Sequence, residues 1–496
     1  MIISQLSRIN AKDNINWDKE YLTFIPIDDC TFTFSQRGTG PLYYSIDSGT
    51  TWTSGTSVSV SSGIKVMWKG SMTPNRSTST SDYTDTGIGT FSATGQFKVR
   101  GNIMSLLYDD DFIGKVTLAG YWWFTSLFEN STIASASKLS LPAITLAPYC
   151  YYRMFDGCTS LISVPKLPAM TLANSCYRDM FSGCTSLTTA PKLPSMTLAN
   201  SCYGYMFSGC TSLTTAPELP ATTLEWYCYQ EMFSGCTSLT TAPKLPAMTL
   251  ATGCYLRMFT GCTSLTTAPK LPAMTLATIC YGSMFYGCTS LTTAPELPAT
   301  EYVKQAYNYM FCYCPINRLV CLLKNLTGWS ETWWLGGTKS PGVFVKNPYN
   351  TEWLTDNYNY IRPGWTVEDL VITVTATTET IGDKTVLIPA DVNVGESNLT
   401  FDPVLSNGDT IRIKCVAVDT EGEFPDESFD FSGVLSSTPD HEGDNIGTLN
   451  SGACAFSYLR NDMSKCSLSH NDEYMGFRIR HFDLQIWVND IECMMF

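Results

Sequence analysis

Short runs that alternate hydrophobic and polar residues dominate the first fifth of the chain. Between Tyr21 and about Gly101, "TFTFS", "SVSVSS" and "QFKVR" alternate β-branched or aromatic residues with polar ones. Gly, Ser, Thr and Asn fill the gaps, as is typical of strands joined by turns. The pattern predicts a small antiparallel β-sandwich over residues 21–120. Residues 1–20 have no core of their own and are predicted to form an N-terminal arm.

The central part of the chain repeats every 26 residues. Two series of cysteines keep this spacing: Cys150, Cys176, Cys202, Cys228, Cys254 and Cys280, continued by Ala306, and Cys158, Cys184, Cys210, Cys236, Cys262, Cys288 and Cys314. A fixed period of this length predicts a solenoid in which each copy buries its apolar side only against its neighbours. We expect it to span residues 121–365. The aromatic runs Tyr121–Trp123 and Trp333–Trp334 are predicted to seal its ends.

Within one copy, "TLANSCYRDMFSGC" places apolar residues four apart from Leu172 to Cys184. This is the spacing of one face of a helix. Thr171 suits the N-cap of such a helix, and Gly183 suits a left-handed C-cap. The following "LTTAPKLP" contains two prolines, which exclude a helix and favour an extended edge. Each copy is therefore predicted to contain one short helix and one extended segment.

The periodic cysteines are predicted to be reduced packing residues. A zinc site needs ligands that converge on one ion, usually from closely spaced pairs, whereas the two cysteines of a copy are eight residues apart. On the predicted helix they are too far apart for a disulfide. A bridge between copies is geometrically possible only for the second series, which lies near strands. Identical columns would have to pair in twos, and the sequence shows no such alternation.

Charge is unevenly distributed along the chain. The formal net charge is −14, yet residues 146–300 are almost neutral, with seven basic and six acidic side chains. Residues 365–496 carry seven basic and 23 acidic side chains. Runs such as "VITVTA", "IRIKCVAV" and "DLQIWV" predict an acidic, β-rich C-terminal domain over residues 366–496. The acidity argues against nucleic acid as a partner, because phosphates are neutralised by Lys and Arg.

The segments "MFSGCTSLTTAPKLP" and "MFSGCTSLTTAPELP" resemble the BspA-like class of leucine-rich repeats of gut Bacteroidales and their phages. "GVFVKNP" to "RPGWTVED" is similar to the segment that ends many such arrays, and "YSIDSGTTWT" to "GNIMSLLYDDDF" resembles the module preceding them. The resemblance implies a binding role outside the cell or on a particle, and it implies no catalytic residues.

Positions that differ between otherwise similar copies mark a candidate binding surface, since packing does not dictate them. The pairs before the first cysteine and after Cys-Tyr vary most, and one position switches between Lys and Glu: Lys166, Lys192, Glu218, Lys244, Lys270 and Glu296. Exposed aromatic residues suit contact with sugar or protein. The predicted binding residues are Arg178, Tyr205, Trp226, Tyr227 and Arg257. Trp226 and Tyr227 have an alternative role, which is to lean on a neighbouring copy.

No catalytic motif accompanies these positions. The three histidines, His441, His470 and His481, lie in the acidic tail, and the chain lacks G-x-S-x-G, H-E-x-x-H and a phosphate-binding glycine loop. Paired carboxylates leave glycosidase chemistry open as an alternative. The acidic segment Asp419–Asp430 could gather Ca²⁺ but lacks the twelve-residue loop pattern, so a solvated loop is favoured. We predict no cofactor and no metal.

Taken together, the sequence predicts a multi-domain α+β chain: a β-sandwich, a leucine-rich-repeat solenoid and an acidic β-rich domain. Its start has no signal-peptide pattern and no stretch is long and apolar enough to span a bilayer, so no membrane insertion is expected. We expect a non-catalytic phage virion surface protein that contacts other virion proteins and a host-surface glycan or protein. A bacterial surface adhesin is the alternative, and homo-oligomers are compatible with either.

Overall fold

The computed structural model describes residues 16–75, 86–118, 120–347, 349–355 and 359–370, and beyond these the backbone of ten strands up to residue 495. The chain divides into two compact units. The first comprises Met1–Val320, Asn325–Phe344 and Glu352–Thr366, and the second Cys321–Lys324, Val345–Thr351 and Val367–Phe496. None of the helices in these described ranges is long and apolar enough to cross a membrane.

The first unit begins with nine strands and very little helix. The strands are β1 (Leu22–Pro26), β2 (Cys30–Gln36), β3 (Leu42–Ser45), β4 (Thr53–Ser54), β5 (Ser57–Val60), β6 (Val66–Gly70), β7 (Gly89–Ala93), β8 (Phe97–Asn102) and β9 (Ile133–Ser140). They form a six-stranded sheet in the order β4-β3-β6-β1-β8-β9 and a three-stranded sheet in the order β5-β2-β7. The one α-helix, α1 (Ser105–Tyr108), has four residues, and two 3₁₀ turns cover Trp17–Lys19 and Asp109–Asp111.

An aromatic cluster joins the two sheets. The ring of Phe24 on β1 lies 5.2 Å from that of Phe32 on β2 and 4.9 Å from that of Phe91 on β7, and all three residues are fully buried. Period-two alternation of inward and outward residues produces this packing, as in Phe32 and Phe34 of β2. The β-rich prediction for this region is confirmed.

The repeats continue directly from this sheet. Strand β9 pairs in parallel with β8, and Ser135 of β9 forms an isolated bridge with Ser163 of the next copy. The ring of Phe128 lies 5.9 Å from Phe24 and 5.4 Å from Phe155. Phe128 therefore belongs at once to the β core and to the first position of a ring column that runs through the repeats.

The helix predicted in each copy is wrong. Residues 174–183 are a succession of turns, in which Ser175, Asp179 and Gly183 have φ of 54°, 56° and 68°. Alternate amides bond within the copy to the carbonyl three residues back, for example Met180 N to Tyr177 O at 3.2 Å. A left-handed residue every fourth position stops an α-helix from propagating. Gly183 has the predicted left-handed conformation, but it ends a turn rather than a helix.

The other amides bond from one copy to the next. Ser175, Tyr177, Asp179, Phe181 and Gly183 each donate to a carbonyl 25 residues later, at 2.7–3.0 Å. The next copy repeats the set, so the peptide that accepts from the previous copy donates to the following one. Five hydrogen-bonded columns of peptides thus run through the repeats. Near the first copies the amide of Tyr151, at φ 61°, is an exception and donates backwards to Trp123 O.

Aromatic rings stack in two parallel columns inside the repeats. Tyrosines from Tyr177 to Tyr307 stack at 5.9–6.2 Å with interplanar angles of 10° or less, and phenylalanines from Phe155 to Phe311 stack at 5.5–5.8 Å. Copies are therefore much closer together than packed helices, which lie about 8–10 Å apart. Phe124 on Tyr151 and Trp334 on Tyr307 extend the tyrosine column at its two ends, at 5.8 and 6.3 Å.

A carboxyl group ends one of the peptide columns. In the copies from Tyr177 to Tyr281 this tyrosine amide donates to a backbone carbonyl, but Tyr307 N donates to Glu331 Oε1 at 3.1 Å. Glu331 is 1% exposed, and burial raises its pKa to about 7 although the bond from Tyr307 opposes the shift. The side chain of Glu331 therefore replaces the carbonyl of the copy that is missing.

Further strands follow the repeats. Strands β10 (Arg318–Cys321), β11 (Gly342–Lys346) and β12 (Trp365–Asp369) form a three-stranded sheet. The second unit then has β13 (Ala376–Ile381), β14 (Lys384–Pro389), β15 (Thr410–Ala417), β16 (Ser428–Val434), β17 (Thr448–Leu449), β18 (Cys454–Phe456), β19 (Leu468–His470), β20 (Glu473–Met475), β21 (Phe482–Val488) and β22 (Ile491–Met495). Five of them order as β17-β16-β15-β21-β22. Most of the proposed calcium segment, residues 419–427, lies outside the described residues, as do His441 and His481.

Candidate binding surface

Along the turns of each copy, two inward-facing residues alternate with two outward-facing residues. Cys176 and Tyr177 are buried, Arg178 and Asp179 are half-buried, and the next pair, Met180 and Phe181, is buried again. This four-residue cycle places the variable pairs on the outside, one above another in successive copies. We call this surface the turn face: the pairs 174–175, 178–179 and 182–183 and their equivalents at 26-residue intervals, among which small residues such as Ser175, Gly204 and Gly253 are buried.

Three of the five predicted residues are connected on the turn face, together with Glu231, which was not predicted. The guanidinium of Arg178 lies 4.7 Å from the centre of the Tyr205 ring, within the range of a cation–π contact. The Tyr205 hydroxyl donates to Glu231 Oε1 at 3.0 Å, and Arg257 Nη1 lies 3.4 Å from the same oxygen. Arg178, Tyr205, Glu231 and Arg257 therefore form one connected row across four copies.

Charge at this row is balanced rather than uniform. Arg178 Nε lies 3.4 Å from Asp179 Oδ2, and burial raises the pKa of Asp179 to about 6, partly offset by Arg178. Gln230 Nε2 donates to the Tyr205 hydroxyl at 2.9 Å, and burial together with Glu231 raises the pKa of Tyr205 to about 12. The side chain of Arg257 is 55% exposed, so its charge remains accessible to a ligand.

The two adjacent aromatic residues, Trp226 and Tyr227, have different surroundings. Trp226 is 59% exposed, a value equalled by Leu354 and exceeded only by Tyr349 among the large apolar side chains described. Tyr227 is half-buried against the next copy, where a Cβ at Gly253 would lie 2.3 Å from Tyr227 Cε1. The absence of a side chain at Gly253 thus makes room for the Tyr227 ring. Of these two residues, only Trp226 has an exposed apolar ring.

The thirteen periodic cysteines lie in the interior as free thiols: Cys150, Cys158, Cys176, Cys184, Cys202, Cys210, Cys228, Cys236, Cys254, Cys262, Cys280, Cys288 and Cys314. Burial raises the pKa of Cys210 and Cys228 to about 12, so both stay protonated near neutral pH. Each thiol of the second series donates to a phenylalanine carbonyl of the preceding copy, as Cys210 Sγ does to Phe181 O at 3.1 Å. The thiols are placed for packing, not for nucleophilic chemistry.

Metal chemistry finds no support in the described ranges. There, no three His, Cys, Asp or Glu side chains converge as a metal site requires. The acidic residues Asp109 and Asp110 surround the buried Lys69, whose Nζ lies 2.8 Å from a carboxylate oxygen of each. Lys69 also lies 4.7 Å from the centre of the Trp52 ring. The lysine occupies the place that a cation would take.

Sequence reasoning missed two residues that matter here. Glu231 links Tyr205 to Arg257. The sequence indicated it only through its position, which is equivalent to those of Asp179, Tyr205 and Arg257 in the neighbouring copies. Glu331 had no signal, because its function as a column end depends on a backbone arrangement that the helical interpretation excluded.

The family comparison fits this geometry. Residues 126–246, 151–292 and 205–331 match the BspA type Leucine rich repeat region, in six copies. Residues 126–331 are a BspA type leucine-rich repeat region. The resemblance drawn from the sequence is thereby confirmed for this part of the chain. No curated protein and no solved structure shows significant similarity to the chain. The BspA type repeats contain every residue of the Arg178–Arg257 row.

Proposed function

We propose that the chain is a non-catalytic surface protein whose repeats form a solenoid and bind a ligand through the turn face. BspA type repeats are typical of surface or adhesion proteins. The observation that carries the proposal is the row from Arg178 to Arg257 on the same turn face as the exposed Trp226, since these side chains vary between copies while the interior does not.

The chemistry of this surface favours an acidic glycan, such as the chains of a mucin. An exposed indole offers an apolar surface for the face of a sugar ring, and the accessible Arg257 pairs with a carboxylate or sulfate. Tyr205 and Glu231 hold Arg257 near the row without burying its charge. Ordered side chains lower the entropy lost on binding.

Binding of the full chain to immobilised purified mucin tests this proposal. Trp226→Ala and Arg257→Ala should each weaken binding about tenfold, as is usual for central aromatic and arginine contacts. Ile162→Ala is the matched control, because Ile162 is 58% exposed and lies outside the turn face. Equal binding by all three variants, or no binding by the wild type, would refute the glycan proposal.

We further propose display on a phage virion, with a bacterial cell surface as the alternative. The resemblance of the repeats to those of gut Bacteroidales and their phages supports both. Mass spectrometry of purified particles separates them: peptides of this chain in particles freed of host envelope are expected, and their recovery only from bacterial envelope fractions would favour the adhesin.

A further inference from the structure

A second exposed surface of the repeats carries a pattern longer than one copy. In "PKLPAM", Lys166, Pro168 and Met170 face outwards, while Leu167 and Ala169 between them are buried. We call this surface the proline face: the positions of Lys166, Pro168 and Met170 and their equivalents in the following copies, among which Met274 is half-buried and Thr300 is buried. Proline has no amide hydrogen, so Pro168 and its equivalents donate no hydrogen bond to a neighbouring copy.

Charge and size change together along the proline face. Copies with Lys at the first position have Met at the third, and copies with Glu have Thr. The order is Lys-Met, Lys-Met, Glu-Thr, then the same again: Lys166/Met170, Lys192/Met196, Glu218/Thr222, Lys244/Met248, Lys270/Met274 and Glu296/Thr300. The pattern thus repeats after three copies. Interior packing does not require this period, because Leu and a small residue fill the inward positions in all six copies.

The proline face is apolar as well as charged. Met170, Met196 and Met248 are 54%, 50% and 40% exposed, and Ile144 extends the row with 51%. Met170 N bonds to Ile144 O at 3.2 Å, which places these two neighbouring side chains in adjacent copies. Exposed apolar side chains in the adjacent copies of Ile144, Met170 and Met196 form a patch of the kind that marks an interaction surface. Methionine is well suited to such a surface because its side chain adapts to its partner.

A partner of uniform charge does not fit this surface. A membrane or a polyanion would meet repulsion at every third copy, from Glu218 and Glu296. The partner must instead have the same three-copy period, about 18 Å at the 5.9 Å spacing of the rings. A second copy of this chain has that period.

We propose that two chains associate through their proline faces, antiparallel, about a two-fold axis at the copy of Lys244. In this register Glu218 lies opposite the partner's Lys270, and Lys192 lies opposite the partner's Glu296. Thr222 also faces the partner's Met274, so small residues meet large ones. The register makes four Lys–Glu pairs and one Lys–Lys pair, and shifting it by one copy in either direction adds like-charge pairs. Such an isologous contact closes as a dimer.

Sedimentation equilibrium of the full chain at low salt tests the dimer. Glu218→Lys should raise the dimer dissociation constant about tenfold or more, because it replaces two attractions by two repulsions. Lys270→Glu should do the same, and the double variant Glu218→Lys/Lys270→Glu should restore the dimer. Glu225→Lys is the matched control: it makes the same charge change at an exposed position seven residues further on and should leave the constant unchanged.

Two outcomes would overturn the proposal. One is a wild-type chain that stays monomeric at about 100 µM, a concentration at which contacts of this size are populated. The other is a dimer that Glu218→Lys does not weaken or that the double variant does not restore. The register has its own test: Met248→Cys should form a disulfide-linked dimer under mild oxidation, and Met170→Cys should not. Met170→Cys dimers without Met248→Cys dimers would refute the antiparallel register.

Discussion

Left-handed backbone recurs at single residues throughout the repeats. From the copy of Ser175 onwards, three positions per copy have positive φ, and the third position is glycine in six successive copies, from Gly157 to Gly287. The other two positions also carry residues such as Ser175 and Asp179, which lack glycine's freedom. A side chain in this conformation costs roughly 1–2 kcal/mol. The bonds of each amide to the next copy outweigh that cost.

Ile279 and Gly253 occupy the same position in adjacent copies, with φ of 53° and 61°. Ile279→Asn should stabilise the protein by about 0.5–1 kcal/mol, because asparagine tolerates the left-handed region and a β-branched residue does not. Gly253→Ile should destabilise it by more than about 2 kcal/mol, since strain is joined by a clash with Tyr227. Thermal unfolding measures both. Thr252→Ile, at a position without positive φ, is the control, and equal tolerance of isoleucine at 252 and 253 would contradict the prediction.

Glu331 makes stability depend on pH. Its carboxyl has a pKa of about 7 when folded and 4.5 as a model group, so the folded state holds the proton more tightly. The contribution of this carboxyl to the free energy of unfolding is therefore complete below pH 4.5. It is lost as the pH rises towards 7, by on the order of 3 kcal/mol. Glu331→Gln keeps an acceptor for Tyr307 N but cannot ionise. Denaturant unfolding at pH 5 and pH 8 should show a smaller difference for the variant than for the wild type; equal differences would exclude Glu331 as the source.

At the scale of one copy, the sequence predicted the inward residues but not the backbone. Cys176, Tyr177, Met180 and Phe181 were expected inside and are fully buried or nearly so. A cycle of two inward and two outward residues has a period of four, which cannot be distinguished from one helical face over ten residues. A helix and this succession of turns differ in the direction of their backbone amides, and in the turns that direction depends on a neighbouring copy. The sequence of one copy likewise does not predict which of the Trp226 and Tyr227 rings is covered, because the Tyr227 ring packs into the space left by Gly253 of the next copy.

The loss of one ring from a column should destabilise the copies on both sides of it. Phe207→Ala removes a ring that stacks at 5.7 Å on Phe181 and at 5.8 Å on Phe233, and should cost about 3–5 kcal/mol. Phe207→Leu, which keeps most of the volume, should cost less than half of that. Hydrogen exchange of the full chain should show faster exchange in the copies of Phe181 and Phe233 as well. Protection lost only in the copy of Phe207 would mean that the columns are not coupled.

At the scale of the molecule, the repeats should tolerate the loss of a whole copy. Removing residues 185–210 joins Cys184 to Thr211 and keeps every later residue in its inward or outward position. Removing residues 185–209 shifts the remaining copies by one position and places polar residues inside. The first deletion should retain a cooperative unfolding transition and the second should not, as measured by circular dichroism and size-exclusion chromatography. Equal behaviour of the two deletions would contradict the stacking order.

The predicted division of the chain into domains remains a prediction. The sequence suggested a boundary near residue 120, where composition changes, yet β9 at Ile133–Ser140 belongs both to the N-terminal sheet and to the first degenerate copy. A strand shared by two regions leaves no linker to detect. The acidic tail was predicted to be β-rich, and strands such as β15 and β21 lie there, paired from Ile411 with Val488 to Ala417 with Phe482.

The five peptide columns give the repeats a net dipole along their axis. From Tyr177 onwards each amide hydrogen points towards the C-terminal end and each carbonyl towards the N-terminal end, so the peptide dipoles add along the axis. The positive pole is thus at the C-terminal end, the reverse of an α-helix, and Glu331 sits at that pole. Additional copies would lengthen the dipole without changing its end charges. Anions should therefore accumulate near the end that contains Glu331, and cations near the opposite end.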